Sequence, residues 1–411
     1  MLLKLHGRHL RPVAEASPEP FIGRISERPD LPEPARAREI LLLRRRPESL
    51  PLGFRAYLLH EPPLECARRD VYVLGEEMRY LEHGDVVRID PQRSHVNALY
   101  RRSSPSNSLL VTERCDNYCL MCSQPPRADD DRWIVDELRQ VIPLLSPETA
   151  EIGITGGEPA LLGQQLVELV ELLKRHVPRT TVHILSNGRR FASPDLARDI
   201  GRVRHGDLMI GIPLYSDVPE DHDYVVQARG AFSETVRGVL NLKRYGIRVE
   251  IRVVLHAQTY ARLPELARFL TRNLLFVDHV ALMGLELMGF AKTNLEELWV
   301  DPLDYQQQLA EAVAILSHAG MVVSIYNHQL CVLRPELHGF ARKSISDWKN
   351  TYFEECTGCA KRSACGGFFA SSTLRRSRGI APVGEGDRQT DGMPRAATEV
   401  APDPPAVSGG A

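Results

Sequence analysis

Thr112-Glu113-Arg114-Cys115-Asp116-Asn117-Tyr118-Cys119-Leu120-Met121-Cys122 sets three cysteines in C-x3-C-x2-C spacing, directly after the apolar run Leu109-Leu110-Val111. Soft thiolate sulfur suits iron–sulfur clusters and zinc. In so short a loop the three thiolates can each take one iron of a cubane cluster, and the fourth iron is then open to an exogenous ligand. A structural zinc site would want four protein ligands, commonly in paired C-x2-C spacings, and no fourth Cys or His follows closely. The spacing favours a cluster.

Downstream of this loop, short apolar strands alternate with amphipathic helices. Ile152 to Thr155, Val182 to Leu185, Leu208 to Leu214, Val249 to Leu255 and His279 to Leu282 read as strands. Ile134 to Leu145, Leu162 to His176, Pro194 to Ile200, Thr235 to Tyr245 and Leu263 to Leu274 read as helices. With Leu109 to Thr112 as the first strand, about six βα units imply a parallel sheet with helices outside, closing into a full or partial barrel. The expected fold class is therefore α/β, a partial (β/α)6 barrel.

The chain divides into residues 1–104, a β-rich accessory region; 105–320, the barrel core; 321–373, a Cys-rich extension; and 374–411, a Gly-, Pro- and charge-rich tail expected to be disordered. The 411 residues are 43% hydrophobic and 25% charged, with a net charge of -2. That is ordinary globular composition, without a global pull toward nucleic acid or membrane, and no run is long enough to span a bilayer. A cytoplasmic protein is expected. Of the 8 cysteines, seven are clustered, which in a reducing compartment points to metal binding. Cys66 stands alone and reads as a small buried hydrophobe.

A second element lies one strand after the cysteine loop, Gly156-Gly157-Glu158-Pro159. Two glycines permit close backbone approach, and the carboxylate can accept hydrogen bonds from an ammonium. Together the two motifs resemble the radical S-adenosylmethionine (SAM) superfamily. The resemblance implies a SAM-binding [4Fe–4S] cluster on Cys115, Cys119 and Cys122, with the open iron chelated by SAM. It also implies that Gly156, Gly157 and Glu158 hold the methionyl amino group. Met121 stands where an aromatic residue is usual, in a position whose role is a backbone contact to adenine. Ser186 or Asn187 would reach the ribose, with an Asx-type turn before Gly188 as the plainer reading. Arg252 would steady the SAM carboxylate, or face the surface, and Ser216 is another ribose candidate. His222-Asp223, Glu286 and Gly289 sit in loops at the barrel mouth, where acid–base or substrate roles compete with incidental ones.

Cys356, Cys359 and Cys365 in C-x2-C-x5-C spacing, with Cys331 upstream, can fully ligate a second cubane cluster or a tetrahedral zinc. The pattern resembles half of the auxiliary-cluster domains of peptide-modifying radical SAM enzymes, which favours an auxiliary [4Fe–4S] cluster over zinc. Longer strings narrow the resemblance to the C-type His-Xaa-Ser system radical SAM maturases. These are Cys122-Ser123-Gln124-Pro125-Pro126, Gly284-Leu285-Glu286-Leu287-Met288-Gly289-Phe290-Ala291, Ser344-Ile345-Ser346-Asp347-Trp348-Lys349-Asn350 and Cys365-Gly366-Gly367-Phe368-Phe369. That family implies a small precursor peptide with His-Xaa-Ser repeats as substrate and a second radical SAM maturase as partner. A low-potential electron donor such as flavodoxin or ferredoxin is also expected, and neither nucleic acid nor membrane. The rival readings are a radical SAM enzyme acting on tRNA or a small metabolite, and a non-catalytic zinc-binding protein.

Overall fold

The computed structural model describes residues 6–7, 10–13, 19–62, 68–343 and 351–384. Cys66 and the 344–350 string lie outside the described residues. The amino-terminal strands are β1 His6–Gly7, β2 Leu10–Pro12, β3 Phe21–Ser26, β4 Glu39–Leu43, β5 Ala56–Leu59, β6 Val71–Leu74, β7 Val86–Asp90 and β8 His95–Tyr100. They form one mixed sheet in the order β1-β8-β7-β3-β4-β5-β6-β2. Its strands bury side chains on both faces, Ile25, Ile40 and Leu58 in one cluster and Leu41, Tyr57 and Leu59 in another. The β-rich accessory unit is thus a layered body with its own core.

A second sheet holds β9 Ser106–Leu110, β10 Glu151–Thr155, β11 Thr181–Leu185, β12 Leu208–Pro213, β13 Arg248–Leu255, β14 His279–Gly284 and β15 Val323–Tyr326. These run in sequence order with every neighbouring pair parallel. Alternation decides their two faces. Ile152 and Ile154 of β10, and Val182 and Ile184 of β11, are buried in the main core, which also takes Leu166, Leu173 and Val170 from the helix Gln164–His176. Between them, Glu151, Gly153, Thr155 and His183 occupy the alternating, partly exposed positions. The result is a partial α/β barrel whose concave side is polar.

Two expectations need correcting. Val323–Tyr326, read as the start of the Cys-rich extension, pairs in register with β14 and is the seventh strand of the barrel sheet. Its Val-Ser-Ile-Tyr alternation is that of a strand, and its nearness to Cys331 misdirected the grouping. Secondly, the tail expected to be disordered from residue 374 has its first residues held in place. Ser377 is buried, and residues 377 and 378 hydrogen-bond Asp301; residues 385–411 lie outside the described residues. Among the described residues no helix is long and apolar enough to cross a membrane.

The accessory unit is seated on the barrel by Ile22, Val86 and Tyr100, which join the main core. The Tyr100 hydroxyl is 2.7 Å from Thr149 Oγ1, and Arg88 lies over the Trp133 ring while pairing with Glu137.

Gly238 in the helix Ala231–Arg244 tests this packing. A Cβ there would lie 2.1 Å from the Gly188 carbonyl oxygen. In a free helix Gly→Ala gains about 1 kcal/mol. Here overpacking against backbone should reverse the sign, so G238A is expected to lose about 1–3 kcal/mol. A urea unfolding midpoint that rises instead would contradict this packing.

Candidate functional site

The cysteine loop begins where β9 ends, with Val111 N–H donating to Thr155 C=O at 2.9 Å. Its entry is fixed by Asp131, which is 4% exposed. That carboxylate accepts from Thr112 Oγ1 at 2.6 Å, Glu113 N–H at 2.6 Å and Arg114 Nε at 2.9 Å. Burial alone would raise the Asp131 pKa, but these donors outweigh it and hold the carboxyl below its ordinary range. The middle of the loop is braced by Arg189, which donates to Asp116 C=O at 2.7 Å and Asn117 Oδ1 at 2.8 Å while pairing with Glu234. The far end is held by Asn294 Nδ2 on Leu120 C=O and by Phe290 N–H on Cys122 C=O. Gly289, read as a mouth residue free to touch substrate, instead packs on this loop. At φ +52° its Cβ would lie 2.4 Å from Cys122 C=O, so only glycine fits.

Cys115, Cys119 and Cys122 are free thiols. Burial pushes Cys115 and Cys119 up to about 12 and raises Cys122 as well; Cys119 also feels the negative charge of the other two. Thiols crowded and buried in this way become thiolates when positive charge arrives with a metal. Three sulfurs in one braced loop are a donor set that fits a cluster with one open iron. Among the described residues no three Cys, His, Asp or Glu side chains are drawn up around a single ion. Met121 is buried among Tyr215, Val225, Val226, Ala291 and Leu298, so its side chain anchors the loop in an apolar core.

The Gly-Gly-Glu turn meets the same loop. Gly157 N–H donates to Thr112 C=O and Glu158 N–H to Arg114 C=O, both at 2.8 Å. Cβ atoms at Gly156 and Gly157 would lie 2.3 Å from Thr112 O and 2.2 Å from Arg114 O. The glycines therefore permit backbone to approach backbone. Glu158 is fully buried, and its carboxylate accepts from Ala160 N–H at 2.8 Å, Ser186 Oγ at 2.7 Å and Asn187 N–H at 2.5 Å. Burial raises this carboxyl to about 7 against those donors. Both of its oxygens are engaged by the protein, a different employment from accepting an ammonium. Ser186 Oγ also accepts from Gly188 N–H, and Asn187 Oδ1 accepts from Arg189 N–H, which is the Asx-type turn, while Asn187 Nδ2 donates to Asp116 at 2.7 Å.

The other loop candidates resolve into structural parts. Ser216 Oγ accepts from Val218 N–H and faces Asp221. His222 is buried, stacks on Tyr215 and takes Tyr215 N–H on Nδ1; burial lowers it to about 4. Asp223 accepts from Gly230 and Phe232 N–H. Neither forms an acid–base pair with the other.

Arg252 faces the concave side of the barrel, where it joins a network that sequence reading missed. Its Nη1 donates to Glu250 Oε1 at 2.5 Å, Glu250 Oε2 is 2.6 Å from His279 Nδ1, and His279 Nε2 is 2.9 Å from Ser324 Oγ. His183 Nε2 lies 3.6 Å from Glu250 without a hydrogen bond, and burial lowers that imidazole to about 4. For Glu250, burial raises the pKa, but His279, Arg252 and His183 overcome it and hold the carboxyl down at about 2. The members of this network come from four strands and span 141 positions in sequence (183 to 324), so no local motif announces them. Asp131 could have been suspected as the residue before a helix, but the run Asp129-Asp130-Asp131 hides which acid matters.

The second cysteine group lies in one neighbourhood: burial raises the Cys331 and Cys356 thiols, with Cys365 and Cys356 adding to the rise at Cys331 and Cys365 and Cys359 adding to it at Cys356. Leu330 and Gly367 N–H donate to Cys365 Sγ at 3.5 and 3.4 Å. Between this extension and the carboxyl ends of β13 to β15 lies a shallow cleft lined by Leu255, Leu285, Trp299, Tyr305, Asn327 and Phe368 among others.

Residues 109–270 match the model of the Radical SAM superfamily. A PqqA peptide cyclase of Gluconobacter oxydans (strain 621H) is 27% identical over 218 residues, 51% of this chain and 56% of that protein. The chain thus spans a little over half the length of this relative. Similar solved structures include Streptococcus suis SuiB bound to S-adenosylmethionine, at 15% identity and TM-score 0.45 over 57% of this chain and 53% of that one. Another is anSMEcpe with bound AdoMet, at 14% identity and TM-score 0.48 over 68% and 92%.

Two outcomes follow from the geometry. G157A should displace the Arg114 carbonyl and cost about 1–3 kcal/mol, while G206A, whose Cβ meets nothing nearer than 4.0 Å, should stay within about 0.5 kcal/mol of the parent; equal unfolding midpoints would refute the tight contact. Because the Glu250 pKa is depressed on folding, its stabilisation is present above about pH 4.5 and lost as pH falls through about 2. E250Q should therefore lose about 3–5 kcal/mol at neutral pH and show a shallower acid loss, readable from denaturation midpoints between pH 2 and 7.

Proposed function

We propose, from the premise that residues 109–270 are a radical SAM superfamily domain, that this protein is a radical SAM enzyme that modifies a small precursor peptide. Cys115, Cys119 and Cys122 would hold a [4Fe–4S] cluster with SAM on its open iron. When bound, that pair supplies one-electron cleavage of the sulfonium S–C5′ bond and a 5′-deoxyadenosyl radical for hydrogen abstraction.

The protein's part is to position and to exclude water. The observation that carries the reading is the three-cysteine loop at the carboxyl end of β9, braced by Asp131 and Arg189 and clamped to the Gly156–Glu158 turn. The turn's backbone and Arg252 are the groups we assign to SAM. Arg252 is suited to a carboxylate because Glu250 holds its guanidinium by Nη1. Ser186 and Asn187 are already hydrogen-bonded within the protein, so a ribose contact from either would supplement those bonds. Cys331, Cys356, Cys359 and Cys365 would hold an auxiliary [4Fe–4S] cluster.

A peptide substrate is supported by the relative named as a peptide cyclase and by the cleft between the barrel mouth and the Cys-rich extension. We assign a His-Xaa-Ser repeat precursor, a second maturase of the same system and a flavodoxin- or ferredoxin-type donor on the strength of the longer sequence strings, within a cytoplasmic setting.

The test is anaerobic reconstitution followed by iron and sulfide analysis and a 5′-deoxyadenosine assay with dithionite and SAM. About eight irons per chain and SAM cleavage abolished in C119A are expected. About four irons would leave the second group as a zinc or structural site. Stoichiometric zinc with no iron and no SAM turnover would leave a metal-stabilised binding protein.

A further inference from the structure

Residues 377–383 carry no strand or helix, yet they are fastened at both ends. Ser377 Oγ and Arg378 N–H donate to the Asp301 carboxylate at 2.5 and 2.9 Å, and the Arg378 side chain pairs with Asp304. Gly379 packs so closely on Leu303 that a Cβ would meet its Cδ1 at 2.7 Å. From this anchor the chain crosses the four-cysteine group. Burial raises the Cys331 thiol, and the Ala381 main-chain N–H that faces it works the other way. Val383 N–H donates to Cys359 Sγ at 3.4 Å, and Val383 C=O accepts from Ala360 N–H at 2.9 Å. Pro382, with its fixed φ, stiffens the span between the two donors.

We propose that residues 377–383 are a strap that closes the second cysteine group and sets the redox potential of the cluster it holds. The inference rests on the reading of Cys331, Cys356, Cys359 and Cys365 as ligands of an auxiliary cluster. An N–H directed at a ligand sulfur stabilises the extra negative charge of the reduced state and so raises the potential. The strap supplies such donors to two sulfurs, and Leu330 and Gly367 supply them to Cys365. With four thiolates available and the strap across them, the centre is closed. It suits passing electrons to or from the barrel site, and it leaves no iron for substrate.

Proline substitution removes one N–H without adding charge. A381P and V383P each delete a donor, whereas the Ile380 N–H makes no hydrogen bond among the described residues, so I380P is the control. Each full-length protein is reconstituted anaerobically, analysed for iron and zinc, and titrated potentiometrically with spectroscopic detection of both clusters. A381P and V383P should keep the parent iron content and shift only the auxiliary midpoint to more negative potential, with I380P unshifted. Identical auxiliary midpoints in all four proteins would overturn the strap's role while leaving the cluster assignment intact. Zinc in the parent's second site would defeat the auxiliary-cluster reading itself, and the tuning with it. Should the prolines lose the second cluster, S377A, which only loosens the anchor, decides: a negative shift supports the strap and an unchanged midpoint refutes it.

Discussion

The site depends on one contact, the main chain of Gly156–Glu158 lying directly on the main chain of Thr112–Arg114. Two hydrogen bonds at 2.8 Å join them, and the two missing side chains make the approach sterically feasible. This contact continues the β9–β10 ladder past the end of both strands, so the cysteine loop leaves the sheet in a fixed direction. The Glu158 carboxylate then carries the constraint to the next strand end, because its partners Ser186 and Asn187 terminate β11. Asn187 returns to Asp116 inside the cysteine loop, and the adjacent Arg189 reaches Asp116 and Asn117. A closed circuit of polar contacts therefore links three strand ends to the loop that bears the thiols. Such circuits hold a site rigid only when every buried member is satisfied.

Much of this was legible in sequence. The three-cysteine spacing and the alternation of Ile152, Ile154, Val182 and Ile184 are local signals, and they report the loop and the parallel sheet directly. Partnership across the chain was not legible. Glu158 reads as a ligand-facing acid because it follows two glycines, but its surroundings come from residues 160, 186 and 187. Glu250 reads as an unremarkable strand acid until Arg252, His279 and His183 are brought around it. The expectation for residues 377–383 failed for a related reason. The Arg, Gly and Pro content of this stretch is that of disorder, and its order depends on Asp301 and Cys359 in distant segments.

The polar network inside the barrel bears on why Arg252 is usable. A guanidinium facing a concave interior and free to move would lose orientation, and an unpaired buried charge would be costly. Glu250 removes both difficulties, and His279, itself held by Ser324, in turn fixes Glu250. Parallel barrels usually fill their interior with layers of branched apolar side chains. Here that filling is given over to a hydrogen-bonded chain, and Gly211 makes room for it: a Cβ at that position would meet Arg252 Cδ and His183 Nε2, each at 2.9 Å.

A seven-stranded sheet that does not close leaves two edges, and exposed edges invite pairing with other chains. The accessory regions sit at both of them. On the β9 side, Arg101 and Asn107 exchange hydrogen bonds between the end of the amino-terminal unit and the first barrel strand. On the β15 side, Arg342 N–H donates to Ile325 C=O and Ala341 bridges to the same residue. The segment that covers β15 continues into the cysteine-bearing extension, which the strap ties back to the Asp301–Asp304 turn ahead of the helix Gln306–His318. Edge protection and placement of the second cysteine group are thus one structural solution: the chain that seals the open side of the barrel also carries four sulfurs to the rim of its mouth.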